Sequence, residues 1–189
     1  MTDVLLFHHA LGLTPGVRAF ADELRGAGHT VVTPDLFEGA TFESIAEGVD
    51  HAEQIGFETI IERGAAAADG LGDRLVVAGF SLGALPAQKL AQTRPGVVGA
   101  ILYHSAVPVS VFGSGWPPGV ALQVHMTEHD PWAEEDLEAA GDLVTTADGQ
   151  LFLYPGVGHL VADPSSTDHD PEVAALILRR TLELLDAHR

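Results

Sequence analysis

The sequence predicts an α/β fold with one mostly parallel sheet of about six strands and helices on both of its faces. Short apolar runs alternate with helix-periodic segments along the chain, the order that builds parallel strands joined by right-handed crossovers. The run LVVA at 75–78 is apolar throughout, as a strand buried on both faces requires. At 189 residues, 46% hydrophobic and 19% charged, the chain has the size and composition of one globular domain over 1–189. A chain of that length buries roughly 70% of the surface its unfolded form exposes.

Strands are expected at 4–8 (VLLFH), 30–33 (TVVT), 74–78 (RLVVA), 98–104 (VGAILYH), 121–126 (ALQVHM) and 151–154 (LFLY). Helical patterns fall between most of them, at 15–27, in a broken region over 41–69, at 82–93, at 131–140 and at 171–188. Leu82, Leu85, Leu90 and Ala91 recur at helical spacing, and in the last helix Ala174, Leu178, Leu182 and Leu185 form one apolar stripe. The one unpatterned stretch is AVPVSVFGSGWPPG at 106–119, a Gly/Pro-rich loop carrying Phe112 and Trp116. In such a sheet the functional loops gather at the carboxyl ends of the strands. There is no internal repeat, low-complexity tract or linker that would divide the chain.

Charge narrows the partners. Nine Lys+Arg against 27 Asp+Glu leave a net charge of −18, and Lys89 is the only lysine. Nucleic acid and anionic membrane faces are repelled by such a chain, and solubility is the ordinary use of the charge. With no cysteine, neither a disulfide framework nor a thiolate metal site is available. The opening MTDVLLFHH has no basic n-region, and no apolar stretch approaches the ~20 residues of a membrane span, so a soluble cytoplasmic protein is expected. Neither GxGxxG nor GxxxxGK[ST] occurs, which disfavours a nucleotide fold of the same architecture.

GFSLG at 79–83 joins an apolar strand to a helix, the context of a nucleophile elbow. The sharp turn strains the serine backbone and lifts its Oγ clear of the sheet, and bulky side chains two residues away would collide, hence Gly79 and Gly83. The bland reading is a helix that merely begins at a serine cap. A serine nucleophile needs a base, and the base an orienting acid, in the order Ser, Asp or Glu, His on loops after later strands. TEHDPW at 127–132 and PGVGHLVAD at 155–163 supply Asp130 and His159 on those loops. Asp130 precedes Pro131 and has the alternative of capping the next helix; Glu128 is the fallback acid. Two N–H donors for an oxyanion are expected from Leu82, at the helix start, and from Ala10, in the glycine-bearing loop HHALGLTPG.

Four further residues, His8, His9, Asp35 and His104, fall at or near strand ends, but no HExxH spacing accompanies them, and neither a metal nor any other cofactor is expected. His9 is expected beside Ser81, and His125 packed within its strand.

FHHALGL at 7–13, TPDLFEG at 33–39, GFSLGALPAQ at 79–88, VHMTEHDPW at 124–132 and LYPGVGHLVAD at 153–163 together resemble the dienelactone hydrolase family of α/β-hydrolases, over nearly the whole chain. The resemblance implies an α/β-hydrolase fold, a triad of Ser81, Asp130 and His159, and an oxyanion hole from Ala10 and Leu82. Three departures stand out. The founding enzymes carry a cysteine nucleophile where this chain has Ser81, with Ala84 replacing a second glycine. They place a glutamate beside it, where this chain has His9. They also bind a substrate carboxylate with an arginine after PDL, where this chain has Glu38 and Gly39.

The expected activity is cleavage of a small ester or lactone through an acyl-Ser81 intermediate, with thioester cleavage, acyl transfer and non-catalytic ligand binding as the alternatives. No cap domain fits in the chain, so a shallow pocket is expected, bordered by His9, Leu11, Phe37, Phe112, Trp116 and Trp132. No arginine falls in the site loops, and Lys89 lies too far along its helix, so neutral substrates are expected over anionic ones.

Overall fold

The computed structural model describes residues 2–189. Six strands run in the chain order β1 (Asp3–Phe7), β2 (Thr30–Val32), β3 (Leu75–Phe80), β4 (Val97–Tyr103), β5 (Ala121–Thr127) and β6 (Gln150–Tyr154). Between and after them come α1 (Pro15–Gly26), α2 (Ile45–Ile55), α3 (Phe57–Ala66), α4 (Ala84–Thr93), α5 (Asp136–Ala147) and α6 (Pro171–Ala187). They form one sheet of order β2-β1-β3-β4-β5-β6 in which every neighbouring pair is parallel. Among the described residues no cap domain interrupts this order, and no helix is long and apolar enough to cross a membrane.

Alternation along the strands splits the core into two layers. Leu5, Phe7, Val77, Leu102 and Val124 face α4 and α5, joined by residues of α2 and α3. Val4, Leu6, Val76, Ala78 and Ile101 face α1 and α6 through Phe20, Leu24, Ile177 and Leu185. All six residues of β3 are buried, and none is polar, because both of its faces are covered. Each such Val, Leu or Phe contributes about 1.5–3 kcal/mol by leaving water.

Register sets where the loops emerge. Phe7 pairs with Gly79, Gly79 with Leu102, Leu102 with Val124 and Val124 with Leu151, so the carboxyl ends of five strands share one edge. The loops after β1, β3, β4, β5 and β6 therefore crowd together, although they are far apart in sequence.

Strand bounds agree with the sequence reading within a residue or two, but three of the expected helical segments differ. The broken region resolves into α2 and α3, divided at Gly56, whose φ of 91° suits a residue without a side chain. The helix expected at 131–140 is α5 at Asp136–Ala147, displaced because Asp130 and Pro131 open a turn: Asp130 Oδ1 accepts from the Trp132 N–H at 2.9 Å, and the Ala133 N–H donates to the Asp130 carbonyl at 3.2 Å. In α6 the fully buried stripe is Val173, Ile177, Thr181, Leu184 and Leu185, whereas Ala174, Leu178 and Leu182 flank it, half-buried. Thr181 displaces the apolar pattern because its hydroxyl pairs with the Tyr103 hydroxyl at 2.9 Å inside the core.

Candidate active site

Ser81 follows β3 with φ at +48°, a left-handed conformation that costs a non-glycine residue on the order of 1–3 kcal/mol. The surrounding backbone holds it there. A Cβ at Gly79 would run into the Gly83 carbonyl, and one at Gly83 would come within 2.6 Å of the His8 carbonyl oxygen. Both glycines are thus required by close backbone approach. The chain then makes one 3-10 turn, Ser81–Gly83, before α4 begins at Ala84, two residues later than expected.

Two later loops reach back to this serine. His159 Nε2 lies 2.6 Å from Ser81 Oγ, and His159 Nδ1 lies 2.6 Å from Asp130 Oδ2. In this arrangement Nδ1–H donates to Asp130 and Nε2 accepts the serine proton. Asp130 is 2% exposed and His159 3%, so the pair works against little competing water. The second Asp130 oxygen takes the Trp132 N–H, so the carboxylate closes a turn and holds His159 rather than capping a helix. Glu128 is exposed, and only its backbone contributes, donating to the Tyr154 carbonyl at 2.9 Å to tie the two loops together. His159 is also held from behind: Asp168 Oδ2 accepts the N–H groups of His159 at 3.0 Å and Leu160 at 3.4 Å. Sequence reasoning missed Asp168, whose only signal was a carboxylate nine residues on in a loop otherwise rich in hydroxyls.

In front of Ser81 lies a cavity of about 320 Å³ bordered by Ala10, Leu82, Leu85, His104, Trp132 and His159. Ala10 and Leu82, the expected oxyanion donors, and Trp132 thus meet where the sequence puts them. Val49 and Phe57 from α2 and α3 also line it; no motif announced them. Ser105 and Asp136 form its polar wall, with Ser105 Oγ donating to Asp136 Oδ2 at 2.7 Å. Burial raises the Asp136 pKa, partly offset by the hydrogen bonds from Ser105 and Ala106.

Other expected wall residues lie elsewhere. Phe37 is buried, packed edge-on against His8 and His51 about 5.0 Å away. Trp116 packs on the core and donates its indole N–H to the Val120 carbonyl at 2.8 Å. Phe112, in the same loop, does not reach the cavity. Leu11 borders an adjoining groove rather than this cavity. His9 turns away from Ser81: its Nε2–H donates to Asp163 Oδ2 at 2.7 Å, and its Nδ1 accepts the Leu11 N–H at 3.3 Å. Asp163 also accepts from Thr14 and Ser165; burial would raise its pKa, but these hydrogen bonds, with that of His9 first, outweigh burial and hold it below the usual carboxylate range.

Three further histidines, His8, His104 and His125, are buried near the site. His8 donates from Nδ1 to the His9 carbonyl and accepts the Leu36 N–H at Nε2, and burial pushes its pKa down to about 4. Asp35 accepts the Phe37 and Gly39 N–H groups, so both residues shape the loop after β2. His125 is a core histidine bridging Tyr154 and Gln123, pushed down by burial to about 3. His104, with φ at +60°, is fully buried beneath His159, and neither ring nitrogen has a partner among the described residues. Burial first, and then the neighbouring histidines, hold it well below its ordinary pKa, so it is neutral. Arg63 donates to the Leu36 carbonyl and sits 3.4 Å from Glu38, outside the cavity. Among the described residues no group of three or more His, Cys, Asp or Glu is arranged to hold a metal ion.

The model of the dienelactone hydrolase family matches residues 1–189. Among solved structures, the chain is similar to a dienelactone hydrolase-like promiscuous phosphotriesterase from metagenomic libraries (17% identity, TM-score 0.82, covering 100% of this chain and 87% of that one). It is also similar to a dienelactone hydrolase from Anabaena variabilis (19%, TM-score 0.68, 96% and 86%) and to a thioesterase of the prodiginine biosynthetic pathway in Streptomyces coelicolor (15%, TM-score 0.61, 96% and 85%). At these identities the structural likeness shows the α/β-hydrolase fold alone. No curated protein matches. On the full-length family match, the chain belongs to the dienelactone hydrolase family.

Proposed function

We propose that this chain is a serine hydrolase that cleaves small neutral carboxylic esters or lactones through an acyl intermediate on Ser81. The observation that carries the reading is the unbroken hydrogen-bonded series Ser81–His159–Asp130, with the serine on a strained turn facing a cavity. His159 Nε2 takes the Ser81 proton as Oγ attacks the carbonyl carbon. The oxyanion develops toward the N–H groups of Ala10 and Leu82, and the C–O bond breaks as His159 returns the proton to the leaving alcohol. Water then enters and its oxygen attacks the acyl carbon as His159 Nε2 takes one of its protons; the bond from that carbon to Ser81 Oγ breaks, His159 returns the proton to Oγ, and the acyl group leaves as a carboxylic acid. Asp130 keeps Nδ1 protonated throughout, so that Nε2 is the free base.

Neutral substrates follow from the walls. Among the described residues no arginine or lysine borders the cavity, while Asp136 does, and His104 is held neutral. A carboxylate entering would lose water without a cation to replace it.

A fluorophosphonate probe tests the reading. Labelling confined to the Ser81 peptide, and lost in His159→Ala, is expected. An unlabelled Ser81 peptide after long exposure would favour a ligand-binding member of the fold without turnover.

A further inference from the structure

Beside the Ser81 cavity lies a second, larger groove of about 690 Å³, and Trp132 borders both. Four loops enclose it: the one leading into α1, the one leading into α2, the one between β5 and α5 that carries Trp132, and the one after His159. Its walls mix apolar and polar groups, with Leu11, Phe42 and Ile45 among the apolar ones. Thr14, Thr41, Ser44, Ser165, Ser166 and Thr167 bring hydroxyls, with the carboxylates of Glu43 and Asp168.

Some of these groups are occupied. Thr14 and Ser165 bond Asp163, Ser44 caps α2, Ser166 accepts the Asp168 N–H, and Asp168 Oδ2 holds the His159 loop. Others are not. The Thr41 and Thr167 hydroxyls, the Glu43 carboxylate and Asp168 Oδ1 make no hydrogen bond among the described residues; Thr41, Glu43 and Thr167 are exposed, so their polar atoms meet water in the open groove. Trp132 is 50% exposed, leaving a large aromatic surface at the junction of the two spaces.

These walls select by chemistry. An acyl chain would use only the apolar side chains, Leu11, Phe42 and Ile45, and would strip water from the hydroxyls and carboxylates beside them. A phosphate or carboxylate meets Glu43 and Asp168 with no lysine or arginine lining the groove. A ring bearing several neutral hydroxyls fits each feature: it donates to the carboxylates, exchanges hydrogen bonds with the threonines, and lays its C–H face on the indole.

We propose that the groove is the leaving-alcohol subsite and that the substrate is a small acyl ester of a neutral carbohydrate, the acyl group entering the Ser81 cavity and the sugar ring lying in the groove against Trp132. The inference rests on the reading of Ser81 as the acylated residue. Hydrolysis breaks the ester bond between the acyl carbon and the sugar oxygen. The sugar leaves with the proton from His159, and water supplies the hydroxyl that ends on the acid.

The test uses an O-acetylated methyl glycoside in two measurements. In a Ser81→Ala, Trp116→Phe protein, tryptophan emission reports Trp132 alone, and a saturable change on titration with the glycoside ester is expected. With the unmodified enzyme, kcat/KM for the glycoside ester should exceed that for ethyl acetate at least tenfold, and Thr41→Val with Thr167→Val should lower that ratio about tenfold, the effect of two neutral hydrogen bonds. Binding without turnover of any ester would uphold the groove and overturn the hydrolase reading. Turnover of a simple aryl acetate, with no binding of the glycoside and no preference for it, would overturn the groove and leave the hydrolase reading standing. Preference for acetyl-coenzyme A would likewise overturn the carbohydrate assignment.

Discussion

Two buried histidine–aspartate pairs stand at the carboxyl edge of the sheet, and they differ in one nitrogen. His159 and Asp130 lie 2.6 Å apart, His9 and Asp163 2.7 Å apart, all four side chains at most 3% exposed. In the first pair Nδ1 holds the aspartate, and Nε2 is left facing the Ser81 hydroxyl. In the second the roles are reversed: Nε2 holds the aspartate, and Nδ1 is consumed by the Leu11 N–H. A carboxylate beside an imidazole therefore does not make a base. The free nitrogen must face a proton to be moved, and where it faces a backbone amide the same pair becomes a latch, here pinning the loop that carries Ala10.

Breaking the two pairs should separate rate from stability. The largest effect is expected from Ser81→Ala, which removes the proton His159 faces. Turnover of an aryl acetate should fall by at least about 10⁴-fold, with the melting temperature little changed. Asp130→Asn should cost about 10⁴ in kcat, because the wrong His159 tautomer is then favoured, while Glu128→Gln should stay within a few-fold. Asp163→Asn should do the reverse. It disrupts a buried pair that accepts from His9, Thr14 and Ser165, so a loss of about 3 kcal/mol in urea unfolding is expected, with kcat reduced less than about tenfold. A rate loss for Asp163→Asn matching that of Asp130→Asn would break the distinction.

The histidines outside both pairs set the acid limit of the fold. His8 and His125 have folded pKa values of about 4 and about 3, below the ordinary 6.5, with His104 shifted the same way. The unfolded chain therefore binds these protons first. Their contribution is fully present above about pH 6.5 and is lost as the pH falls toward 4, at about 3 kcal/mol for His8 alone. Asp163 adds a further loss below its ordinary 3.8, whereas Asp136, shifted upward, runs the other way. Urea midpoints between pH 7 and pH 4 should decline steadily; a flat profile would contradict the neutral burial of these rings.

The smallest effect concerns charge. Of two esters matched in size, the carboxamide should have a higher kcat/KM than the carboxylate, and added salt should narrow the gap as the field of the −18 chain is screened. Preference for the carboxylate at every salt concentration would mean that His104 is charged in the occupied pocket.

What the sequence made legible was local or steric. The apolar runs marked the strands, and the glycines of GFSLG reported backbone contacts that leave no room for a Cβ. The order of Ser81, Asp130 and His159 followed from which strand each loop follows. Long-range pairing was not legible: Asp163 reaches His9 across 154 residues, and no periodicity links them. The start of α5 was hidden because an aspartate before proline opens a turn as readily as a helix, and here the turn won. Phe37, Phe112 and Trp116 looked like pocket walls because they sit in loops near the site, but where a loop side chain points depends on the path of the whole loop. Phe37 turned into the core, and Trp116 onto the Val120 carbonyl.

Trapping the intermediate tests the central claim most directly. Acid quenching during turnover of an aryl acetate, followed by mass spectrometry of the peptides, should find acetyl on Ser81 in the unmodified protein and none in Ser81→Ala. Sustained turnover with acetyl absent from Ser81, or carried by another residue, would contradict the account.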